Sequence, residues 1–227
     1  MNNKLSFITL LIIAIFSSTI AKADYVSKAV VGSYEDSNVW SVGNPSGTSA
    51  PNQKMTIVAG AEITRNGDFA PVDIDYFGKF IVKGNYTNSK WSGLVVKSGG
   101  VLIVEGNLSG SAGVKVENGG TLIVHGNFTS SGSDVFIYGS LVVKGSFTTG
   151  PNTQINYTGK LVVGGDFTHT GGGFEGTSNN NFYLLNPDAN ITGPGNWGPL
   201  YYGQFGELDD FIENESDNPG LWDLVED

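Results

Sequence analysis

The sequence predicts an all-β protein, a parallel β-helix of about five to six coils in which a single chain forms every rung. Three observations predict this fold: a repeat of about 20 residues, apolar and polar residues that alternate within each repeat, and abundant glycine. Glycine accounts for 33 of the 227 residues, 15% of the residues are charged, and there is no cysteine. This composition disfavours a helical bundle or coiled coil, and the absence of cysteine excludes a disulfide scaffold.

The repeat is carried by five segments that align without gaps. Each reads apolar-x-Val-x-Gly, followed by Asn, Ser or Asp, then an apolar residue, then Ser or Thr. The shared glycines are 22, 20, 19 and 20 residues apart, which is the spacing of a solenoid. The segments are 80–87, 102–109, 122–129, 141–148 and 161–168.

Alternation within these segments predicts which side chains face inward. The fourth residue of the first four segments is Lys83, Glu105, His125 or Lys144, so this position faces water. Because successive side chains of a strand point to opposite faces, the first and third residues of each segment face the core. The aromatic or Leu residue after each corner glycine is predicted to fill the interior. Asn after the glycine also creates three matches to the N-glycosylation pattern, which we interpret as turn chemistry.

A second strand precedes each of these segments and ends two residues before another glycine. These strands are predicted at 72–76, 94–98, 114–118, 133–137 and 153–157, and the glycines are Gly78, Gly100, Gly120, Gly139 and Gly159. Two strands and a short third side in each coil complete the predicted β-helix.

The ends of the chain differ from the repeats. Residues 1–23 have a basic start, an apolar run and Ala-Lys-Ala, as a secretory signal peptide does. We expect an N-terminal cap at 24–54, the solenoid at 55–185 and an irregular acidic segment at 186–227. Arg65 lies where the repeat predicts Val, so either the register slips there or Arg65 closes the open end.

Export is the localisation that the signal peptide predicts, to the extracellular medium or the cell surface, with the periplasm as an alternative. Removing the signal peptide leaves 10 basic against 22 acidic residues, a net charge of −12. This charge disfavours nucleic acid as a partner. No later segment is apolar and long enough to span a membrane.

The Gly-Asn/Ser/Asp-aromatic-Thr corners and the Leu-x-Val rungs resemble the secreted right-handed parallel β-helix proteins of bacteria, which include adhesin-like surface proteins and pectin-lyase-like enzymes. The progression Trp40, Pro51, Ile57, Gly60, Ile63 is similar to the opening of the β-helix modules named for their eight glycines. The resemblance covers residues 55–168 and implies a right-handed coil. It implies no single activity, because one fold hosts many functions.

Catalytic candidates are few. Asp73 and Asp75 share one face of a predicted strand, with Cα atoms ~7 Å apart, which suits the two carboxyl groups of an inverting glycosidase. Alternating Asp is also typical of a solvated strand. A uronate lyase of the pectin-lyase-like type would be expected to have a basic residue above an acidic calcium site, but the single arginine is Arg65 at the cap. The sequence therefore favours a non-catalytic protein.

The sequence gives little support for a metal site. Without cysteine, the two histidines, His125 and His169, cannot form a typical transition-metal site, and no other cofactor is predicted. Calcium remains open because Asp209, Asp210 and Glu213 supply oxygen ligands, although their spacing matches no calcium loop. The alternative is a solvated acidic tail, since residues 207–227 contain nine acidic residues and no basic one.

An exposed apolar stripe, one residue per rung, is the most informative feature of the predicted outer surface. Either it is an interface with another chain, or the acidic tail folds over it. The sequence thus favours a structural or adhesive surface protein that assembles through this stripe or through the solenoid ends, with a surface protein or a glycan as other partners. The alternative is a carbohydrate-binding or carbohydrate-active β-helix that uses Asp73 and Asp75. The stripe consists of Ile81, Ile103, Ile123, Val142 and Val162.

Overall fold

The protein is described by a computed structural model in which residues 25–41, 55–69, 74–88, 93–171, 173–176, 182–186, 188–193 and 201–202 are placed. Apart from one 3-10 turn at Ser37–Val39, the regular structure in these ranges is β-strand. The strands form three parallel sheets, and each complete coil contributes one strand to each sheet. The predicted solenoid is confirmed, and its third side is a sheet in its own right.

The strands are numbered in chain order and fall into sheets of eight, nine and six. Sheet 1 contains β1 Tyr25–Val26, β3 Met55–Ile57, β5 Ile74–Tyr76, β8 Leu94–Val96, β11 Val114–Val116, β14 Val135–Ile137, β17 Gln154–Tyr157 and β20 Gly173–Gly176. Sheet 2 contains β2 Val31–Ser33, β4 Glu62–Arg65, β6 Lys79–Val82, β9 Val101–Val104, β12 Thr121–Val124, β15 Ser140–Val143, β18 Lys160–Val163, β21 Phe182–Leu184 and β23 Tyr201–Tyr202. Sheet 3 contains β7 Tyr86–Asn88, β10 Leu108–Gly110, β13 Phe128–Ser130, β16 Phe147–Thr149, β19 Phe167–His169 and β22 Ile191–Thr192.

The core is built from identical positions stacked on one another. Leu102 pairs with Leu122, Leu122 with Leu141, and Leu141 with Leu161, and all four are fully buried. On sheet 3 the rings of Phe128 and Phe147 stack with centroids 4.5 Å apart. Like-on-like stacking of inward side chains lets a chain without disulfides exclude water along its whole length. The inward positions predicted from alternation are confirmed.

Glycine is needed at the corner between sheets 2 and 3 because a side chain there would overlap the preceding rung. A Cβ on Gly126 would lie 2.5 Å from Asn107 Oδ1 and 2.7 Å from the carbonyl oxygen of Gly106 in the rung before it. Gly126 has no positive φ. Close stacking of successive corners, and not left-handed backbone at the glycine, is what excludes a side chain at Gly126. Left-handed backbone occurs at the other corner, at Gly99 (φ 78°) and Gly119 (φ 79°).

A ladder of side chains joins the corners between sheets 2 and 3. In each rung a side-chain oxygen accepts a hydrogen bond from the backbone N–H of the equivalent residue in the next rung. The bond from Asn107 N to Asn85 Oδ1 is 2.8 Å, and the bond from Asn127 N to Asn107 Oδ1 is also 2.8 Å. This confirms that the Asn residues of the glycosylation-like pattern serve the turn. The whole ladder is Asp68, Asn85, Asn107, Asn127, Ser146, Asp166 and Asn190.

The first coils are closed by polar and aromatic contacts. Arg65 pairs in register with Val82, so the register does not slip. Its guanidinium contacts the Glu35 carboxylate and lies 5.4 Å from the centroid of the Tyr34 ring. The buried Trp40 donates a 2.9 Å hydrogen bond from Nε1 to the carbonyl oxygen of Tyr34. Arg65 thus stands one rung inside the first strand of sheet 2, beside Glu35 and Tyr34, at the position where the repeat predicts Val.

Candidate functional site

The outer face of sheet 1 carries a cluster of charged and aromatic side chains. Two files of outward side chains run along it, one in mid-strand and one just before the corner with sheet 2. Strand pairing places equivalent residues of successive rungs beside one another. We call these two files the sheet 1 patch: Asp75, Val95, Lys115, Phe136 and Asn156, with Phe77, Lys97, Glu117, Tyr138 and Thr158.

Ion pairs join the charged members of the sheet 1 patch. Lys97 Nζ lies 3.9 Å from Asp75 Oδ1 and 3.1 Å from Glu117 Oε1, and Lys115 Nζ lies 3.4 Å from the same Glu117 oxygen. The hydrogen bond from Lys97, with the charge of both lysines, lowers the pKa of Glu117. Two lysines and two carboxylates thus neutralise one another on this face, although the chain as a whole is acidic.

Aromatic rings continue the patch beyond the ion pairs. The rings of Phe136 and Tyr138 are nearly parallel, with centroids 6.2 Å apart and 20° between their planes. Lys115 Nζ lies 5.9 Å from the centroid of the Tyr138 ring, within cation–π range. Phe77 occupies the position of Tyr138 three rungs earlier and is 39% exposed. Phe77 and Tyr138 therefore present two rings about 14 Å apart, three rungs of ~4.8 Å each.

Two shallow grooves follow the corner between sheets 1 and 2 beside these rings. The groove at Tyr138 has a volume of about 370 Å³, a floor that includes Gly120 and Gly139, and hydroxyl groups from Ser140 and Thr158. The groove at Phe77 has a volume of about 390 Å³ and includes Glu62 and Lys79. A ring, hydroxyl groups and a glycine floor form a surface that a flat polar ligand can lie on.

The structure describes only one of the two residues of the predicted catalytic pair. Asp73 lies outside the described residues. Asp75 is on the outer face of sheet 1, is 8% exposed and has Lys97 as an ion-pair partner. Glycoside hydrolysis also needs a carboxyl group that stays protonated, whereas the lowered pKa of Glu117, the other carboxylate at Lys97, keeps that group ionised. Asp75 and Glu117 thus belong to an ion-paired surface.

The predicted calcium ligands Asp209, Asp210 and Glu213 lie outside the described residues, so calcium binding there stays a prediction. Within the described ranges, no three His, Cys, Asp or Glu side chains cluster as a metal site would require. His169 is buried, and its Nδ1 lies 2.6 Å from Thr149 Oγ1. His125 is half-buried on sheet 2, where burial, with the nearby Lys144 charge, lowers its pKa.

The apolar stripe lies on the outer face of sheet 2, in a cluster separate from the core. Strand pairing aligns Ile81, Ile103, Ile123, Val142 and Val162 in one file. Its last four residues are only 5%, 0%, 2% and 0% exposed, and Ile81 is partly buried. Its role as an interface stays a prediction, but these side chains are shielded from solvent in the structure.

The chain matches no protein-family model, no curated protein and no solved structure. No helix in the described ranges is long and apolar enough to cross a membrane.

Alternation alone could have identified the aromatic part of the patch. Val135 and Ile137 face the core, which places Phe136 and Tyr138 outside. Phe77 and Tyr138 also directly precede the corner glycines Gly78 and Gly139. Phe77 and Tyr138 escape notice when only the aromatic residues after the other corner are considered, since those rings are buried.

Proposed function

We propose that the protein is an exported, non-catalytic structural or adhesive surface protein. The signal-peptide pattern supports export. The rod of parallel sheets provides long flat faces with repeated side-chain positions. Such a rod suits contact with an extended partner better than enclosure of a small substrate, since its grooves are shallow.

The observation that carries this proposal is the composition of the sheet 1 patch. Exposed aromatic side chains on a solvent face are typical of binding surfaces, because they add contact area with little loss of conformational entropy. Here Phe77 and Tyr138 flank an internally neutralised set of charges. This face therefore presents no excess of charge and suits a polar but uncharged partner.

A search for turnover tests the non-catalytic part of the proposal. The purified mature chain is incubated with neutral and anionic polysaccharides, and new reducing ends and unsaturated uronates are measured. We expect no product above the rate without protein. Turnover that is abolished in Asp75→Asn, and retained in the surface variant Asp134→Asn, would overturn the proposal.

Carbohydrate is the second candidate, as the ligand of the adhesive face. The groove at Tyr138 favours it, because sugar rings stack on aromatic faces while their hydroxyl groups pair with side chains such as Ser140 and Thr158. Co-sedimentation with insoluble neutral polysaccharides tests this candidate. We expect Tyr138→Ser to lose binding and Val30→Ser, which changes an exposed apolar residue elsewhere, to keep it. Equal retention by both variants would exclude this groove.

A further inference from the structure

The stripe is buried although it faces away from the core. Ile103, Ile123, Val142 and Val162 form their own cluster, with Ile81, Val101, Tyr183 and Leu185 packed against it. These four partners belong to the same sheet or its end and contribute to the same layer. In the described ranges, the strands of sheet 2 make their main contacts with neighbouring strands of that sheet. Neighbours within one layer shield only the sides of a side chain. Its outer surface must be shielded by a further segment that lies over the sheet.

Positive charge borders the stripe on both sides. One flanking file is Lys79, Val101, Thr121, Ser140 and Lys160, and the other is Lys83, Glu105, His125, Lys144 and Gly164. Four of the 12 Lys and Arg residues of the chain thus stand beside the stripe, against Glu105 in these files. Lys79 already has an ion-pair partner in the preceding rung, since its Nζ lies 3.7 Å from Glu62 Oε1. Burial lowers the pKa of Lys144, as it does that of His125. His125 and Lys144 are therefore partly removed from water, whereas Lys83 and Glu105 in the same file are exposed.

The chain leaves the described region on this same sheet. The last described strand, β23, pairs with β21, and Tyr201 stands beside Tyr183, which continues the register of the stripe through Val162. Residues 203–227 follow. Twenty-five residues span at least ~37 Å even if helical, at 1.5 Å per residue. The stripe from Ile81 to Tyr183 covers five rung spacings, about 24 Å.

The composition of residues 203–227 complements this face. Its apolar residues match the stripe, and its nine acidic residues, with no basic residue, match the flanking lysines. The apolar residues include Phe211, Ile212, Leu221, Trp222, Leu224 and Val225.

We propose that residues 203–227 of the same chain lie along the outer face of sheet 2, with apolar side chains on the stripe and carboxylates beside the flanking lysines. A second copy of the chain would bring no such excess of negative charge with its own stripe. The segment thereby occupies the surface through which the solenoid would otherwise associate. This inference is independent of the sheet 1 patch, because it concerns a different face.

Cysteine pairs in the full-length mature chain test the inference, since the protein has no cysteine of its own. One variant carries Ser140→Cys beside the stripe and Ser216→Cys in the segment. The matched control carries Thr129→Cys on the exposed face of sheet 3 with the same Ser216→Cys. Both are treated with a short bismaleimide at dilute protein concentration, and the products are mapped by mass spectrometry. Circular dichroism checks that both variants keep the β-sheet fold.

We expect intramolecular cross-linking at least tenfold faster for the Ser140 pair than for the Thr129 pair. Adding Lys144→Glu and Lys160→Glu should slow the Ser140 reaction severalfold, whereas Lys115→Glu on sheet 1 should leave it unchanged. Equal rates for the two pairs, or only intermolecular products, would overturn the inference. An unchanged rate in the double lysine variant would refute the electrostatic part of it.

Discussion

Replacing Gly159 by Ala tests the close stacking of corners on which the solenoid depends. The added Cβ would lie 2.6 Å from the carbonyl carbon and 2.7 Å from the carbonyl oxygen of Tyr138, and closer still to the carbonyl oxygen of Gly139. Ordinary contacts of a Cβ are 3.4–4 Å. The obstructing atoms are backbone atoms of the preceding rung, so no side-chain rotation can relieve the overlap.

The expected cost combines two effects. Overpacking of this kind costs about 1–3 kcal/mol. Moving the Gly139 carbonyl also disturbs its 2.8 Å hydrogen bond from Lys160 N, worth about 0.5–1.5 kcal/mol net. Ala also reduces the entropy of the unfolded chain, which offsets about 0.4–1 kcal/mol. We therefore expect Gly159→Ala to lower the free energy of unfolding by about 1–4 kcal/mol.

Urea unfolding followed by circular dichroism measures this change, and Gly93→Ala is the matched control. A Cβ on Gly93 would meet no atom within 4 Å, and Gly93 has no positive φ. We expect this control to remain within about 0.5 kcal/mol of the wild type. A Gly159→Ala protein as stable as Gly93→Ala would refute the stacking argument.

Three further changes probe the core, the ladder and the half-buried His125, each by urea unfolding. Phe147→Ala should cost about 3–5 kcal/mol, because the ring is fully buried; a loss below 1 kcal/mol would contradict the observed packing. Asn127→Ala should cost about 0.5–1.5 kcal/mol, because Ser146 N loses its 2.8 Å acceptor; Asn127→Asp, which keeps the acceptor, should cost less. Burial lowers the pKa of His125 below 6.5, so the unfolded chain binds this proton more readily and stability falls as the pH drops through 6.5. His125→Gln should weaken this decline, and an unchanged pH profile would contradict the burial of His125.

The repeat made the fold predictable from the sequence. Because each rung reuses the same positions, alternation in five aligned segments was sufficient to identify the core, from Phe80 to Phe167. The role of the asparagine corners followed in the same way. The cause of the glycines at 84, 106, 126, 145 and 165 did not, because close approach between rungs appears only when the coils are stacked.

The candidate site was less predictable. Asp75 was identified on its strand, but its partner Lys97 comes from the next rung, and the pairing depends on the register between coils. Ile123 was correctly placed outside the core, yet its complete burial depends on what lies over sheet 2, which alternation within a strand does not encode. A repeat predicts positions within a coil well and contacts across its faces poorly.

Adhesion through the sheet 1 patch is tested most directly on an array of glycans and extracellular proteins. The mature wild-type chain is compared with the double variant Phe77→Ser/Tyr138→Ser and with Val30→Ser, all verified as folded. The proposed function predicts that the wild type and Val30→Ser bind the same spots and that the double variant loses them by at least tenfold. A double variant that binds as the wild type does, or a wild type that binds no spot, would contradict an adhesive function of this face.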